Sequence, residues 1–383
     1  MRRLLLLVAF LALPAFAQDP VAIRIESKVL GETRQILVRT PASYASGSQA
    51  YPVLYMTDGD RQLPNMAATT DFLSREGRMP EVIVVGISNT DRTRDLTPTH
   101  VATLQQDGRT LQFPTSGGGA KFLSFIETEV IPYIEKNYRT QPYRVFAGHS
   151  FGGLFALQAL FTRPRLFNGI IAVSPALVWD DGWVIKRARE LVEKNRELNT
   201  TLVVSTGNES QALEREFRAL ESLLERRAPK GFELEAIRFE DEDHGSVVMP
   251  THYAGLRKVF APWRFAVDGE PKTLYARARE HYANLSKRAG YTVAIPEQTT
   301  NFIAYQLLLA GSLPEAIEVF QANVAAYPAS ANVYDSLGEA YERAGDQARA
   351  RENYARAAEI GKKINDPNTA VYERNLQRVS GPE

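Results

Sequence analysis

Apolar and polar residues alternate along "AIRIESKVL" and "TRQILVRTP", two runs either side of Gly31-Glu32. A period of two with a turn between predicts an opening β-hairpin. From Tyr51 the pattern changes. "YPVLYMTDGD", "EVIVVGISN", "YRVFAGHS", "GIIAVSP" and "TTLVVSTGNES" are short apolar runs bounded by turn residues. Segments with helical spacing lie between them: "FLSFIETEVIPYIEKNY", "GGLFALQALFTRP" and "LEREFRALESLLERRA". "FELEAIRFEDEDHG" reads as a last strand, and "MPTHYAGLRKVF" as the start of a final helix. Continuous Val/Ile/Leu strands alternating with helices predict an α/β domain over residues 18–265, a mostly parallel sheet with helices on both faces.

From about residue 266 to 383 the strand pattern stops. "AYQLLLAGSLPEAIEVFQANVAAYP" aligns with "LGEAYERAGDQARARENYARAAEI" at an offset of 34 residues, Gly311 on Gly345. At that offset Ala310 matches Ala344, Ala316 matches Ala350 and Phe320 matches Tyr354. A helix-turn-helix unit of this period resembles the tetratricopeptide repeat, so a small all-α helical-repeat domain is expected. Two copies are fewer than such repeats need alone, which leaves packing on the first domain or a protein partner as their use.

The amino terminus, "MRRLLLLVAFLALPAFAQDP", has a basic start, an apolar core and a small-x-small site at Ala15-Phe16-Ala17. This predicts a signal peptide over 1–17, hence a periplasmic or secreted protein. The apolar run is too short for a membrane span of about 20 residues. The chain has no cysteine, which excludes thiol nucleophiles and cysteine metal sites. Lys+Arg and Asp+Glu balance at 45 each, so nothing in the charge suggests nucleic acid.

The candidate chemistry centres on Gly148-His149-Ser150-Phe151-Gly152, a G-x-S-x-G between a strand and a helix. Glycines either side let a sharp turn present the Ser150 hydroxyl. The Phe151 N–H, at a helix N-terminus, is a candidate oxyanion donor. A serine needs a base within reach. Of five histidines, His244 follows the last predicted strand; His252 is the alternative. A carboxylate must orient the base. Glu209, in the loop after "TTLVVSTGN", is the candidate; Asp180 and Asp181 read as lid residues, Asp241 and Asp243 as solvated charges. Gly59 predicts a tight turn that leaves the Asp60 N–H as the second oxyanion donor.

With these residues assembled, the chain resembles the esterase branch of the α/β-hydrolases, which includes enterochelin (siderophore) esterases, S-formylglutathione hydrolase and mycolyltransferases. The matching segments, over roughly 20–262, are "VLYMTDGD", "VVGISNTDRTRDLTP", "GGGAKFLSFIETEVIPYIEKNYRT", "YRVFAGHSFGGLFAL" and "DEDHGSVVMPTHYAGLR". The resemblance implies an α/β-hydrolase fold and hydrolysis of small carboxylic esters through an acyl-enzyme, without metal or other cofactor. It places Ser150, His244 and Glu209 in catalytic roles and Phe151 and Asp60 in the oxyanion hole. Arg92 and Arg94 are candidates for an anionic substrate group, against a role pairing with Asp95 to hold the loop. Trp179 and Trp183 are candidate pocket walls, against core filling. "FPTSGGGAKF" is a candidate lid. Acyl transfer to an acceptor other than water, and a non-catalytic scaffold that recruits a partner through the helical repeats, are the competing functions.

Overall fold

The computed structural model describes residues 19–45, 47–106 and 109–381. The expected leader, 1–17, lies outside the described residues. The described chain forms two compact units: 19–264 with 288–291, and 265–287 with 292–381.

The first unit is built on ten strands: β1 (Val21–Ser27), β2 (Glu32–Arg39), β3 (Tyr51–Thr57), β4 (Ile83–Ile87), β5 (Thr103–Gln106), β6 (Arg109–Gln112), β7 (Thr140–His149), β8 (Gly169–Val173), β9 (Thr201–Thr206) and β10 (Glu233–Arg238). Eight make one sheet in the order β1-β2-β4-β3-β7-β8-β9-β10. β2 runs antiparallel to β1 and β4; every pairing from β4 to β10 is parallel. β5 and β6 form a separate antiparallel hairpin. β3, β4, β8 and β9 are buried along their whole length, as their continuous apolar runs require. The turn of the β1–β2 hairpin is held from a distance: the Lys28 and Val29 N–H groups donate to Glu129 Oε1. Glu129 lies in a π-helical turn, Ile126–Val130, inside the helical stretch that begins at Gly119 and ends at Asn137.

The strand order reverses between β3 and β7. Crevices in open α/β sheets lie at such a point, beyond the carboxyl ends of the strands. Thr57 and His149 end β3 and β7 there, so the residues after them face the same edge of the sheet.

Among the described residues six helices make up the second unit, the first of them running two residues past its boundary at 287: Pro271–Ala289, Glu297–Leu309, Leu313–Ala326, Ala331–Arg343, Gln347–Ile364 and Thr369–Val379. Gly311 and Gly345 both adopt left-handed φ, +76° and +77°. Each is followed by a closing bond from the next N–H to the carbonyl five residues back: Ser312 to Leu307 and Asp346 to Tyr341, both 2.9 Å. Glycine is favoured there because a side chain would be strained. Ala316 and Ala350, and Phe320 and Tyr354, are all fully buried.

Candidate functional site

Ser150 sits between β7 and the helix Phe151–Thr162 at φ +62°, ψ −116°. Its backbone is tied into the sheet edge: its N–H donates to the Val173 carbonyl (2.9 Å), and its carbonyl accepts from Leu154 (2.9 Å) and Ala176 (3.3 Å). The close approach makes the flanking glycines necessary. A Cβ on Gly148 would run into the Gly152 carbonyl, and one on Gly152 into Thr57 Oγ1. Phe151 is the first residue of the helix, so its N–H has no intrahelical acceptor. Among the described residues the Ser150 hydroxyl makes no hydrogen bond.

His244 opens the turn that leads into the helix Val248–Val259. Asp243 shapes this turn. Its Oδ1 accepts from the N–H groups of Gly245 and Ser246, each at 2.8 Å. These bonds hold the Asp243 carboxyl below its usual range. Asp243 reads from the sequence as a solvated charge; it is exposed, but it also braces the loop that carries His244.

His244 Nδ1 lies 3.1 Å from both carboxylate oxygens of Glu209. Glu209 is free to turn there because the neighbouring Ser210 caps the helix Gln211–Arg227, its side chain accepting from Leu213 N–H. Gly207 lets the two loops meet. A Cβ there would stand 2.6 Å from the Glu242 carbonyl and 2.8 Å from that of Asp243. The Glu209 side chain is 9% exposed and that of His244 48%, so the carboxylate is covered and the ring is open to solvent on its other edge.

His149, beside Ser150, reaches across to the same loop. Its Nε2–H donates to the His244 carbonyl at 2.7 Å, which fixes its tautomer because a carbonyl can only accept. The two imidazole rings lie 4.8 Å apart. Burial, with the neighbouring His244 second, lowers the His149 pKa to about 4. The bond to the His244 carbonyl joins the serine turn to the histidine turn. His252, the alternative base, is wholly buried, and burial lowers its pKa to about 4.

The turn after β3 differs from expectation. The left-handed residue is Asp58, at φ +55°, not Gly59. Gly59 is the first residue of the helix Gly59–Arg75, and it is glycine because it lies against Gly86 of β4. Asp60 is the second helical residue, so its N–H also lacks an intrahelical acceptor. Asp58 is buried and takes the Arg92 fork: Nε to Oδ1 at 2.7 Å, Nη2 to Oδ2 at 3.1 Å. Arg92 Nη2 also donates to the His149 carbonyl at 2.9 Å, and the guanidinium carbon is 5.6 Å from the Phe151 ring centre.

Arg94, paired with Arg92 in the sequence reading, is engaged elsewhere. Its Nε donates to Asp95 (2.8 Å) and its Nη2 to Glu32 (2.7 Å) and Thr90 (3.1 Å). Asp95 also binds the fully buried Arg34 at 2.5 Å. Arg94 therefore clamps its loop to the β1–β2 hairpin, the alternative role given to it, and the anion-binding expectation for Arg94 is corrected. The tryptophans are corrected too. Trp179 is fully buried against Phe113 and Phe151, both at 5.4 Å, with Nε1–H donating to Thr99. Trp183 is buried in the core under Arg187. Within "FPTSGGGAKF", the glycines at 117–119 are tied to the preceding loop. Gly117 N–H donates to Thr97 Oγ1, Gly118 N–H to the Arg94 carbonyl and Gly119 N–H to the Thr97 carbonyl. Among the described residues no group of three or more metal-ligating side chains converges.

Residues 27–253 match the family model described as "Putative esterase". The chain belongs to this esterase family. It is 33% identical over 235 residues to the ferri-bacillibactin esterase BesA of Bacillus subtilis, covering 55% of this chain and 80% of that protein. The siderophore enterobactin esterase of Emericella nidulans is 29% identical over 291 residues, 63% of this chain and 94% of that one. Among solved structures, an IroE-like serine hydrolase from Shewanella oneidensis superposes with a TM-score of 0.69 at 32% identity, over 80% of this chain and 98% of its own. The fold is that of an α/β-hydrolase, and the activity of the family is ester hydrolysis. No described helix is long and apolar enough to cross a membrane.

Proposed function

We propose that this protein is an exported serine esterase in which Ser150, His244 and Glu209 act as a triad. The observation that carries this reading is the 3.1 Å approach of Glu209 to His244 Nδ1, in a loop hydrogen-bonded to the residue beside Ser150. With Nδ1 carrying the proton, Nε2 is left as the base. Ser150 Oγ attacks the ester carbonyl and His244 Nε2 takes the hydroxyl proton. The oxyanion forms against the N–H groups of Phe151 and Asp60, each at the start of a helix. Collapse breaks the ester C–O bond, and His244 returns the proton to the leaving alcohol. Water, deprotonated by the same nitrogen, then releases the acid and frees Ser150.

The substrate we infer is a small acyl ester of the siderophore type, by analogy with the named relatives. Arg92 supports an anionic or catecholate group: its Nε and Nη2 are committed, while Nη1 has no protein partner among the described residues. Export rests on the leader sequence. A p-nitrophenyl butyrate assay beside a ferri-siderophore lactone assay tests the reading. Wild type is expected to hydrolyse both and Ser150→Ala neither. Hydrolysis that persists in Ser150→Ala contradicts it.

A further inference from the structure

The Nδ1 edge of His244 has a second neighbour. Ser174, the residue after β8, brings Oγ to 3.1 Å from Nδ1, the same distance as each Glu209 oxygen. Ser174 is fully buried and holds φ +40°, a backbone that favours glycine. Its N–H is already bonded to the Ser205 carbonyl at 3.0 Å. Its hydroxyl has no other partner among the described residues. Glycine would fit this backbone with less strain, so what serine adds is the hydroxyl, and that hydroxyl meets one group.

We propose that Ser174 is a positioning residue for His244, its Oγ sharing the Nδ1 proton with Glu209. The proposal rests on the serine-esterase reading above. An ionised carboxylate can only accept, so Nδ1 must carry its hydrogen toward Glu209. Were Ser174 instead to donate to Nδ1, a bare nitrogen lone pair would face a carboxylate at 3.1 Å. Ser174 therefore accepts, and Nδ1–H makes a three-centre bond to carboxylate and hydroxyl. The two acceptors come from different strand ends, β8 and β9, so together they fix the plane of a ring whose other edge is open. Besides Glu209, the ionisable groups around the ring are His149, its ring 4.8 Å away and tilted 45° to it, and Asp243, its neighbour in the turn. Both acceptors strengthen as the imidazolium forms, so the effect belongs to the transition state and not to substrate binding.

The test is the second-order rate at which a fluorophosphonate labels Ser150 in the full chain. It compares wild type, Ser174→Ala, Ser174→Gly, Glu209→Ala and the Ser174→Ala/Glu209→Ala double variant. Each Ser174 variant is expected to slow labelling about tenfold, the worth of one hydrogen bond to a charged group. With p-nitrophenyl butyrate, kcat should fall and KM stay. The double variant should be slower than the product of the singles, because each single leaves one acceptor. The downfield Nδ1–H proton resonance of His244 should move in Ser174→Ala, which a purely structural role would not cause. Ser174→Gly relaxes the left-handed backbone and carries the test if Ser174→Ala folds poorly. Wild-type labelling rates in the Ser174 variants, or an unmoved resonance, overturn this proposal alone. A wild type that is not labelled overturns the esterase reading and the proposal with it.

Discussion

Ser150 holds a backbone conformation that L-residues avoid, and such strain costs of order 1–3 kcal/mol. The sheet edge supplies the offset through the bonds to Val173, Leu154 and Ala176. Ser150→Gly should therefore gain about 1 kcal/mol in chemical denaturation while losing all activity; a less stable glycine variant would contradict the assigned strain. The half-buried His149 and the buried His252 make a second prediction. His149 and His252 have folded pKa values near 4, below the ordinary 6.5. Between these values the unfolded chain binds more protons than the folded one, so stability rises with pH there. It should be full above about pH 6.5 and fall as pH drops toward 4. For the wholly buried His252 the loss amounts to about 3 kcal/mol at most. Urea denaturation at pH 7 and pH 4.5 checks this: His252→Leu should show a smaller drop than wild type, and an equal drop would refute it. At this scale much of the site was legible. The glycines around Ser150, and a histidine and a glutamate after successive strands, are patterns in the chain. Ser174, Asp58 and the bridging role of His149 were not, because each acts through a contact between loops far apart in sequence.

Elements bring those loops together. The parallel strands β3, β7, β8, β9 and β10 end at one edge, so the residues following them converge whatever their spacing in the chain. Gly207 is where two such loops meet. Gly207→Ala should push the Glu209 loop off the His244 loop and lower kcat at least tenfold, with far-UV circular dichroism unchanged. Unaltered kcat would mean that the approach is not needed. The strands were readable because buried parallel strands are continuous apolar runs. The helix Gly59–Arg75, the helix Trp183–Lys194 and the β5–β6 hairpin went unread: Pro64 interrupts the first pattern, and the hairpin is four residues a side and polar. The π-helical turn at Ile126–Val130 left no mark on a pattern that reads as one helix.

At the scale of the whole molecule, two compact units share one chain. The 34-residue offset between Gly311 and Gly345 is visible in sequence because both glycines close a helix in the same way. Gly345→Ala, at φ +77°, should destabilise the helical unit by about 1 kcal/mol. The labelling rate at Ser150 should change less than twofold; a larger change would show that this helix end is coupled to the unit that holds Ser150. The central claim concerns Ser150 itself. Treating the full chain with a fluorophosphonate and mapping the adduct by peptide mass spectrometry tests it most directly. The account predicts one adduct, on Ser150, absent in His244→Ala. No adduct, an adduct on another residue, or undiminished labelling in His244→Ala would contradict it.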